Sequence, residues 1–364
     1  MTAPIRIDFA PVRDLTTLAA EWQALEAEAD ASFFQSWTWV GCRAAERFAA
    51  PWRLRVERDG RCVGLALLNR RHGAFWLHES GDPGLDAIYI EHNGVLLACT
   101  AADLLAPCLG ALLAPGRRLV LSGVDAAELT AARRQGVVRL RRHSLAPYVD
   151  LAALPAAPEA YLASLSANTR QQLRRSDRRL GGSGGIVVTR AATVAEAVAF
   201  LDALAVLHQA TWTARGRPGA FANPAFLRFH RALLARAVPN GEADLLRISG
   251  VAGVIGYLYN FRRHGRVLTY QSGFDYAAAG RHGKPGLTCH HAAITAARAD
   301  GATVYDFLAG ADRYKTSLAT AATRLYWLEA AAAGSLAGLR LRLADTAARL
   351  RTRLRRQPVT FTQA

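Results

Sequence analysis

Apolar and polar residues recur along this chain with two periods, and the periods alternate in an order that occurs twice. Residues 5–9 alternate as a strand, and 15–29 then place Leu15, Leu18, Trp22 and Leu25 on one helical face. The aromatic run Phe33-Phe34-Gln35-Ser36-Trp37-Thr38-Trp39 follows. Ser32 or Ser36 is placed to cap a helix running to Phe48, with the aromatic rings against the first sheet. Residues 52–58 and 62–69 alternate on either side of Asp59-Gly60, a hairpin turn. Segments 74–77, 118–122 and 137–143 read as further strands and 97–113 as a helix. Residues 1–155 therefore form one α+β unit, and Pro147, Pro155 and Pro158 mark the link to a second.

The second unit, 156–332, opens with a helix over 161–180, stopped by Gly181-Gly-Ser-Gly-Gly185. A strand at 186–189, helices at 196–214 and 224–237, a hairpin of 243–249 with 253–262, and a strand at 266–273 follow. A glycine-punctuated loop, 280–286, then leads to a helix over 287–299 and a strand over 303–307. This order resembles that of the first unit, which points to a weak internal duplication. The first copy has no glycine-rich basic loop and reads as the structural one. The tail, 333–364, repeats Leu336, Leu339, Leu343, Ala347, Leu350 and Leu354 at helical spacing. Arg340, Arg342, Arg349, Arg351, Arg353, Arg355 and Arg356 decorate it. Such a helix can dock on the body, pair with another subunit or lie on an anionic membrane surface, and the pattern leaves all three open.

Composition narrows the partners more than the fold. At 364 residues and 51% apolar content the chain is globular and long enough for two domains. The 45 Lys and Arg against 29 Asp and Glu give a net charge of +16, almost all of the positive charge being arginine. That balance favours anionic partners such as nucleotides, nucleic acid or lipid headgroups, and is equally the mark of a biased genome. Cysteines at 42, 62, 99, 108 and 289 show neither paired nor metal-ligand spacing, so free thiols in a reducing compartment are expected. No stretch forms an uninterrupted apolar span and the N-terminus lacks the pattern of a secretory peptide. The expected location is cytoplasmic, with the tail able to reach the inner membrane face.

The loop 280–286 carries the chemistry. Gly280, Gly283 and Gly286 allow close approach to the backbone, the following helix offers unpaired N–H groups, and Arg281 and Lys284 add positive charge. Together they describe a cradle for a diphosphate.

Four pieces of the sequence extend this to a family. They are Trp22 with residues 33–39; Asn168-Thr-Arg170 running into Arg174-Arg175; Val254-Ile-Gly256-Tyr-Leu-Tyr259 followed by residues 269–275; and Tyr305-Asp306-Phe307-Leu308-Ala309-Gly310-Ala-Asp312-Arg-Tyr314-Lys315. In these the chain resembles the tandem acetyltransferase-like proteins of the cellulose-biosynthesis CelD-like family, in the GNAT superfamily and close to the FemAB fold. The resemblance implies an α+β fold of two GNAT-like domains, each a mainly antiparallel sheet flanked by helices. It also implies acetyl-CoA or another acyl-CoA bound by the second domain. The glycine spacing departs from the strict GNAT pattern, and Pro285 offers no N–H.

In that architecture the thioester would lie between the strands 267–273 and 303–307, with its oxygen held by backbone N–H groups at Tyr270, Gln271 and Ser272. Asp306, flanked by Tyr305 and Phe307, is the candidate base. Tyr314 would protonate the leaving thiolate, and Lys315 would anchor an acceptor carboxylate or a donor phosphate. A buried ion pair of Asp306 with Arg313 or Lys315 is the plainer alternative. His208 and Trp212, one helical turn apart, would wall the acceptor site unless His208 is simply a satisfied core histidine. Arg170, Arg174 and Arg175 form a row suited to a phosphorylated or carboxylated acceptor, or a solvated face. No ligand set with metal spacing occurs, so no metal is expected. Cys289 beside His290 is no nucleophile–base pair, since helix neighbours point about 100° apart. The expected function is N-acyl transfer, acetyl from acetyl-CoA onto an amine of a sugar or a cell-envelope or polysaccharide precursor, by direct attack. Aminoacyl transfer from tRNA to a peptide precursor and a scaffold without catalysis are the alternatives.

Overall fold

The structure is a computed structural model that describes residues 4–157, 159–280, 283–310 and 312–356, with side chains to residue 348. Its strands are β1 (Ile5–Pro11), β2 (Pro51–Arg58), β3 (Arg61–Arg71), β4 (Ala74–Leu77), β5 (Leu96–Leu97), β6 (Arg118–Val124), β7 (Val137–Asp150), β8 (Val187–Arg190), β9 (Ala243–Gly250), β10 (Gly253–Arg263), β11 (Arg266–Phe274), β12 (Val304–Asp306) and β13 (Ala321–Ala331). They make one mixed, mostly antiparallel sheet in the order β1-β2-β3-β4-β6-β13-β7-β12-β11-β10-β9-β8, with β5 on β3. The expected hairpins form where the turns predict them. Asp59 and Gly60 take the positive φ values, 53° and 76°, that a two-residue turn between twisted strands requires.

Each half runs antiparallel until one parallel pair, β4 with β6 and β11 with β12. The last strand of each half then crosses over. β13 lies between β6 and β7, pairing Ala321 with Tyr148 through to Ala331 with Val137, while β7 pairs with β12. The halves thus exchange their final strands, and each sheet is completed by the other.

The core is continuous across this exchange. Phe33 and Phe34 of a short 3-10 turn and Trp39 of the Trp37–Arg47 helix are fully buried against Phe261 of β10 and Tyr270 of β11. The rings of Phe33 and Phe261 stack at 4.0 Å. Ser36 caps that helix by accepting from the Trp39 N–H.

Two sequence expectations need correction. The helix expected over 161–180 is broken into Ala160–Ser164 and Ala167–Gly181, because Leu165 is extended and Ser166 starts the second helix by accepting from the Thr169 N–H. The helix expected over 97–113 is a 3-10 segment, Cys99–Leu104, followed by a short α-helix, Leu105–Leu112. The helices Ala126–Gln135 and Arg313–Leu318 and strand β13 are additional to those expected. Among the described residues one helix, Val194–Ala214, is long and apolar enough to cross a membrane by length and composition. Here it packs on β10 and β11 through Leu201, Leu204 and His208.

The two parallel pairs differ in what fills the gap beyond them. After Trp76 pairs with Val120 the strands β4 and β6 diverge, and residues 78–95 thread between them. Asn93 donates its N–H to Gly123 O and its side chain to Leu77 O, and accepts at Oδ1 opposite His78 Nδ1. Gly123, at φ 65°, admits this segment: a Cβ there would lie 2.3 Å from Ile90 O. In the second half, pairing of β11 with β12 ends at Leu268 with Asp306, and the gap beyond stays open.

Candidate functional site

The open gap is a cleft of about 1220 Å³. Its floor is β11 from Thr269 to Phe274. One wall is the turn Phe307–Gly310 with Tyr314 and Lys315, and the opposite wall holds His208 and Trp212. Lys284, Gly286 and Leu287 line one end, and Tyr89 and Glu91, delivered by the segment that plugs the first half, line the other. Two acids, Glu91 and Asp312, face Arg142, Arg215, Lys284, Arg313 and Lys315 across it, so the cleft favours an anion.

The floor carries a β-bulge. The β10–β11 register slips between Tyr259/Gln271 and Asn260/Thr269, leaving Tyr270 without an opposite residue. A bulge bends its strand and breaks the ladder locally, and on the side facing the gap β11 has no partner beyond Leu268. The backbone at Tyr270, Gln271 and Ser272 is therefore the edge presented to the cleft. Tyr270 is anchored by its ring against Phe261 and His230 and by its hydroxyl 3.4 Å from Tyr89 O.

At the basic end, Pro285 opens the helix Pro285–Ala299 at a position where a missing N–H costs nothing. The Lys284 N–H is taken by Ser176 Oγ, which also bonds Thr288 Oγ1, tying the loop to the helix Ala167–Gly181. Gly286 and Leu287 keep first-turn N–H groups with no acceptor inside the helix, beside the Lys284 charge. Gly283 is fixed by packing, since a Cβ there would lie 2.4 Å from Ala279 O. Arg281 lies outside the described residues.

At the other end four ionisable groups from both halves converge. Asp306 Oδ1 accepts from the Leu308 N–H at 2.6 Å, and Oδ2 lies 3.0 Å from His92 Nε2. Glu91 accepts from the Ala309 N–H, and Lys315 Nζ donates to Leu308 O and Ala309 O. Two non-glycine residues in this network, His92 and Leu308, are held in the left-handed region at φ 47° and 59°. Such strain persists where surrounding bonds over-determine it. Burial raises the Glu91 carboxyl above the usual carboxylate range, against the opposing Ala309 N–H and Lys315 charge. Burial lowers Lys315, against Glu91, Asp312 and Asp306. Burial also disfavours the charged form of His92, but the charge and contact of Asp306 together with the Glu91 charge outweigh it, and the imidazole is raised.

The sequence candidates fall into three groups in this geometry. Tyr270, Gln271, Ser272, Lys284, Gly286, Trp212, Tyr314 and Lys315 line the cleft. Tyr314 stacks on His290 at 5.1 Å, and burial raises its hydroxyl, so it holds its proton. His208 also lines the cleft, but both ring nitrogens are engaged. Nδ1 donates to Ser272 O at 3.0 Å, Nε2 accepts from the Ala220 N–H, and burial keeps the ring neutral; it braces β11. Among the described residues, Gly280 and Gly283 of the expected cradle, and Asp306, Arg170, Arg174 and Arg175, are not in the cleft wall. The partner of Asp306 is His92 rather than Arg313 or Lys315. Arg170 closes the preceding short helix through Ala163 O and Leu165 O, and Arg174 and Arg175 are exposed. The same helix turns Asn168, Thr169 and Gln172 toward the cleft instead. Glu91 was not singled out by the sequence; the only local signal is an acid followed by His92, Asn93 and Gly94 in a loop. Among the described residues no group of three or more His, Cys, Asp or Glu side chains could hold a metal ion.

Comparison with known proteins agrees with this layout. Residues 167–316 match the family model of the acetyltransferase (GNAT) domain. No curated protein matches the sequence. Among solved structures, FemX superposes with a TM-score of 0.59 at 11% identity, over 85% of this chain and 95% of FemX. The C-terminal domain of a putative lysylphosphatidylglycerol synthetase from Agrobacterium fabrum superposes at 0.53 with 10% identity, over 92% of this chain and 96% of that one. L-PGS from Bacillus licheniformis gives 0.51 at 10% identity, over 92% and 97%. At these identities the likeness is one of fold. Residues 167–316 thus match an acetyltransferase (GNAT) domain, set in a fold shared with FemX.

Proposed function

We propose that the protein is an N-acyltransferase that takes an acyl group from acyl-CoA, acetyl-CoA first among them, and passes it to an amine by direct attack. The observation that carries this is one unbroken cleft joining the first turn of the Pro285–Ala299 helix to the buried carboxyl of Glu91, across the bulged edge of β11. The diphosphate of the donor would meet Lys284 and the N–H groups of Gly286 and Leu287. The thioester oxygen would meet the backbone at Tyr270–Ser272, where a hydrogen bond strengthens as negative charge develops. Glu91, its carboxyl raised by burial, is a stronger base than an ordinary carboxylate and suits acceptance of the amine proton. As the C–N bond forms and the C–S bond breaks, the Tyr314 hydroxyl, kept protonated by burial, would donate a hydrogen bond to the leaving thiolate, whose proton is supplied in the end by the one the amine releases. Asp306 in this reading orients the Phe307–Gly310 turn rather than touching substrate. The acceptor is a small molecule or a glycan or peptide precursor; the CelD-like resemblance favours a polysaccharide precursor.

Calorimetric titration with acetyl-CoA tests the donor. Saturable binding that Lys284→Glu weakens at least tenfold supports the reading, and a folded protein that binds no acyl-CoA overturns it. A second reading, transfer from aminoacyl-tRNA, is favoured by the exposed Arg174 and Arg175 on the helix that holds the 280–286 loop and by the net charge of +16. Tight tRNA binding that is lost when Arg174, Arg175 and Arg178 are neutralised would decide for it. Failure of both donors would leave the scaffold reading.

A further inference from the structure

The helix Leu336–Arg356 packs on β7 and β13, but not through its leucine repeat. Gly338 and Leu341 face the body, Leu341 being 4% exposed, while Leu336, Leu339 and Leu343 are 76, 52 and 62% exposed. Three leucines on one face are thus turned to the outside of a helix already docked by another face. Arg340 and Arg342 are exposed beside them. Over its length the helix sequence holds seven arginines and the single acid Asp345.

We propose that this face lies on an anionic lipid bilayer, leucines in the acyl boundary and arginines at the phosphates, so that the enzyme works at a membrane surface. The proposal goes beyond acyl transfer and stands independently of the donor. Two other occupants fit the surface less well. A second copy would bring two arginine-rich helices together in like-charge repulsion. A nucleic acid would satisfy the arginines and leave the leucines in water. A bilayer answers both, because apolar burial and headgroup attraction add.

The test uses the full chain with vesicles of phosphatidylcholine alone or mixed with phosphatidylglycerol, separated by sedimentation. Wild-type protein should sediment with the mixed vesicles, progressively less as salt rises, and not with phosphatidylcholine. Leu339→Ser with Leu343→Ser should weaken that partition at least about tenfold, since both side chains leave the acyl boundary. The circular dichroism and acetyl-CoA binding of this variant should match wild type. Three results would overturn the proposal: no sedimentation with the mixed vesicles, a leucine variant that partitions like wild type, or a dimer in the absence of lipid that the leucine variant abolishes.

Discussion

Phe261→Ala is the sharpest probe of how the two halves depend on each other. Phe261 is fully buried on β10. Its ring lies 4.0 Å from Phe33 and 5.7 Å from Trp39, both of the first half, and 5.0 Å from Tyr270 on the cleft floor. Phe34 and Tyr259 close the remaining sides at 6.0 and 4.9 Å. Truncating a buried phenylalanine costs about 3–5 kcal/mol in lost transfer energy and residual cavity. Each aromatic pair is worth about 0.5–1.5 kcal/mol beyond area. With five buried rings around it, each held on a packed element, the upper end, about 5 kcal/mol, is expected. Urea denaturation followed by tryptophan fluorescence and by far-ultraviolet circular dichroism should show one transition for both probes, shifted to lower urea with an unchanged slope. A loss under about 2 kcal/mol, or two separated transitions in the wild-type protein, would refute the argument that this cluster binds the halves into one unit.

Two further substitutions address the ionisable network. Glu91→Gln keeps an acceptor for the Ala309 N–H but cannot take a proton, so thiol release from acetyl-CoA in the presence of an acceptor should fall about 10²–10⁴-fold. Because burial raises the Glu91 carboxyl, the folded state holds its proton longer than the unfolded chain. Stability is then lost as pH rises through the ordinary carboxylate range toward the raised value, and the glutamine variant should melt no lower than wild type at neutral pH. Full turnover in the variant would remove Glu91 from the mechanism. For His92→Gln the sign is the same, since this pKa too is raised on folding. The imidazole is raised in the folded state, so its contribution is complete below about pH 6.5 and disappears as pH rises through the raised value. Melting curves from about pH 5 to about pH 9 should show wild type and variant converging at the alkaline end, and a gap that widens there would contradict the His92–Asp306 pairing.

Much of the scaffold was legible because its signals are local. The Asp59-Gly60 turn, the face of Leu18, Trp22 and Leu25, and the succession of strand, glycine loop, helix and strand in the second half need only neighbouring residues to be read. The break at Leu165 and Ser166 was hidden because no glycine or proline marks it; a serine cap interrupts an otherwise continuous helical pattern. The arginine row at 170–175 was read on the right helix. Which side of a helix meets a cleft, however, is set by what buries Thr169, Leu173 and Ser176, and no local period encodes that. The same limit hid Glu91 and the His92–Asp306 pair, whose partners are more than two hundred positions apart. The pairing of β13 with β6 was out of reach for the same reason, since its short run of Leu325, Leu328, Ala330 and Ala331 says nothing about which edge it joins.

The exchanged strands have a consequence for how the chain is made. As synthesis proceeds from the N-terminus, β1 to β6 can assemble once their residues emerge, but the neighbour of β6 is the strand that ends at Ala331. Until some two hundred further residues have been translated, β6 presents an unpaired edge, and β7 waits for both of its partners. An open edge is a template for other chains. Newly made first halves in a polysome are therefore the species most exposed to pairing with one another, and the last residues of the sheet to be translated are the ones that end that risk.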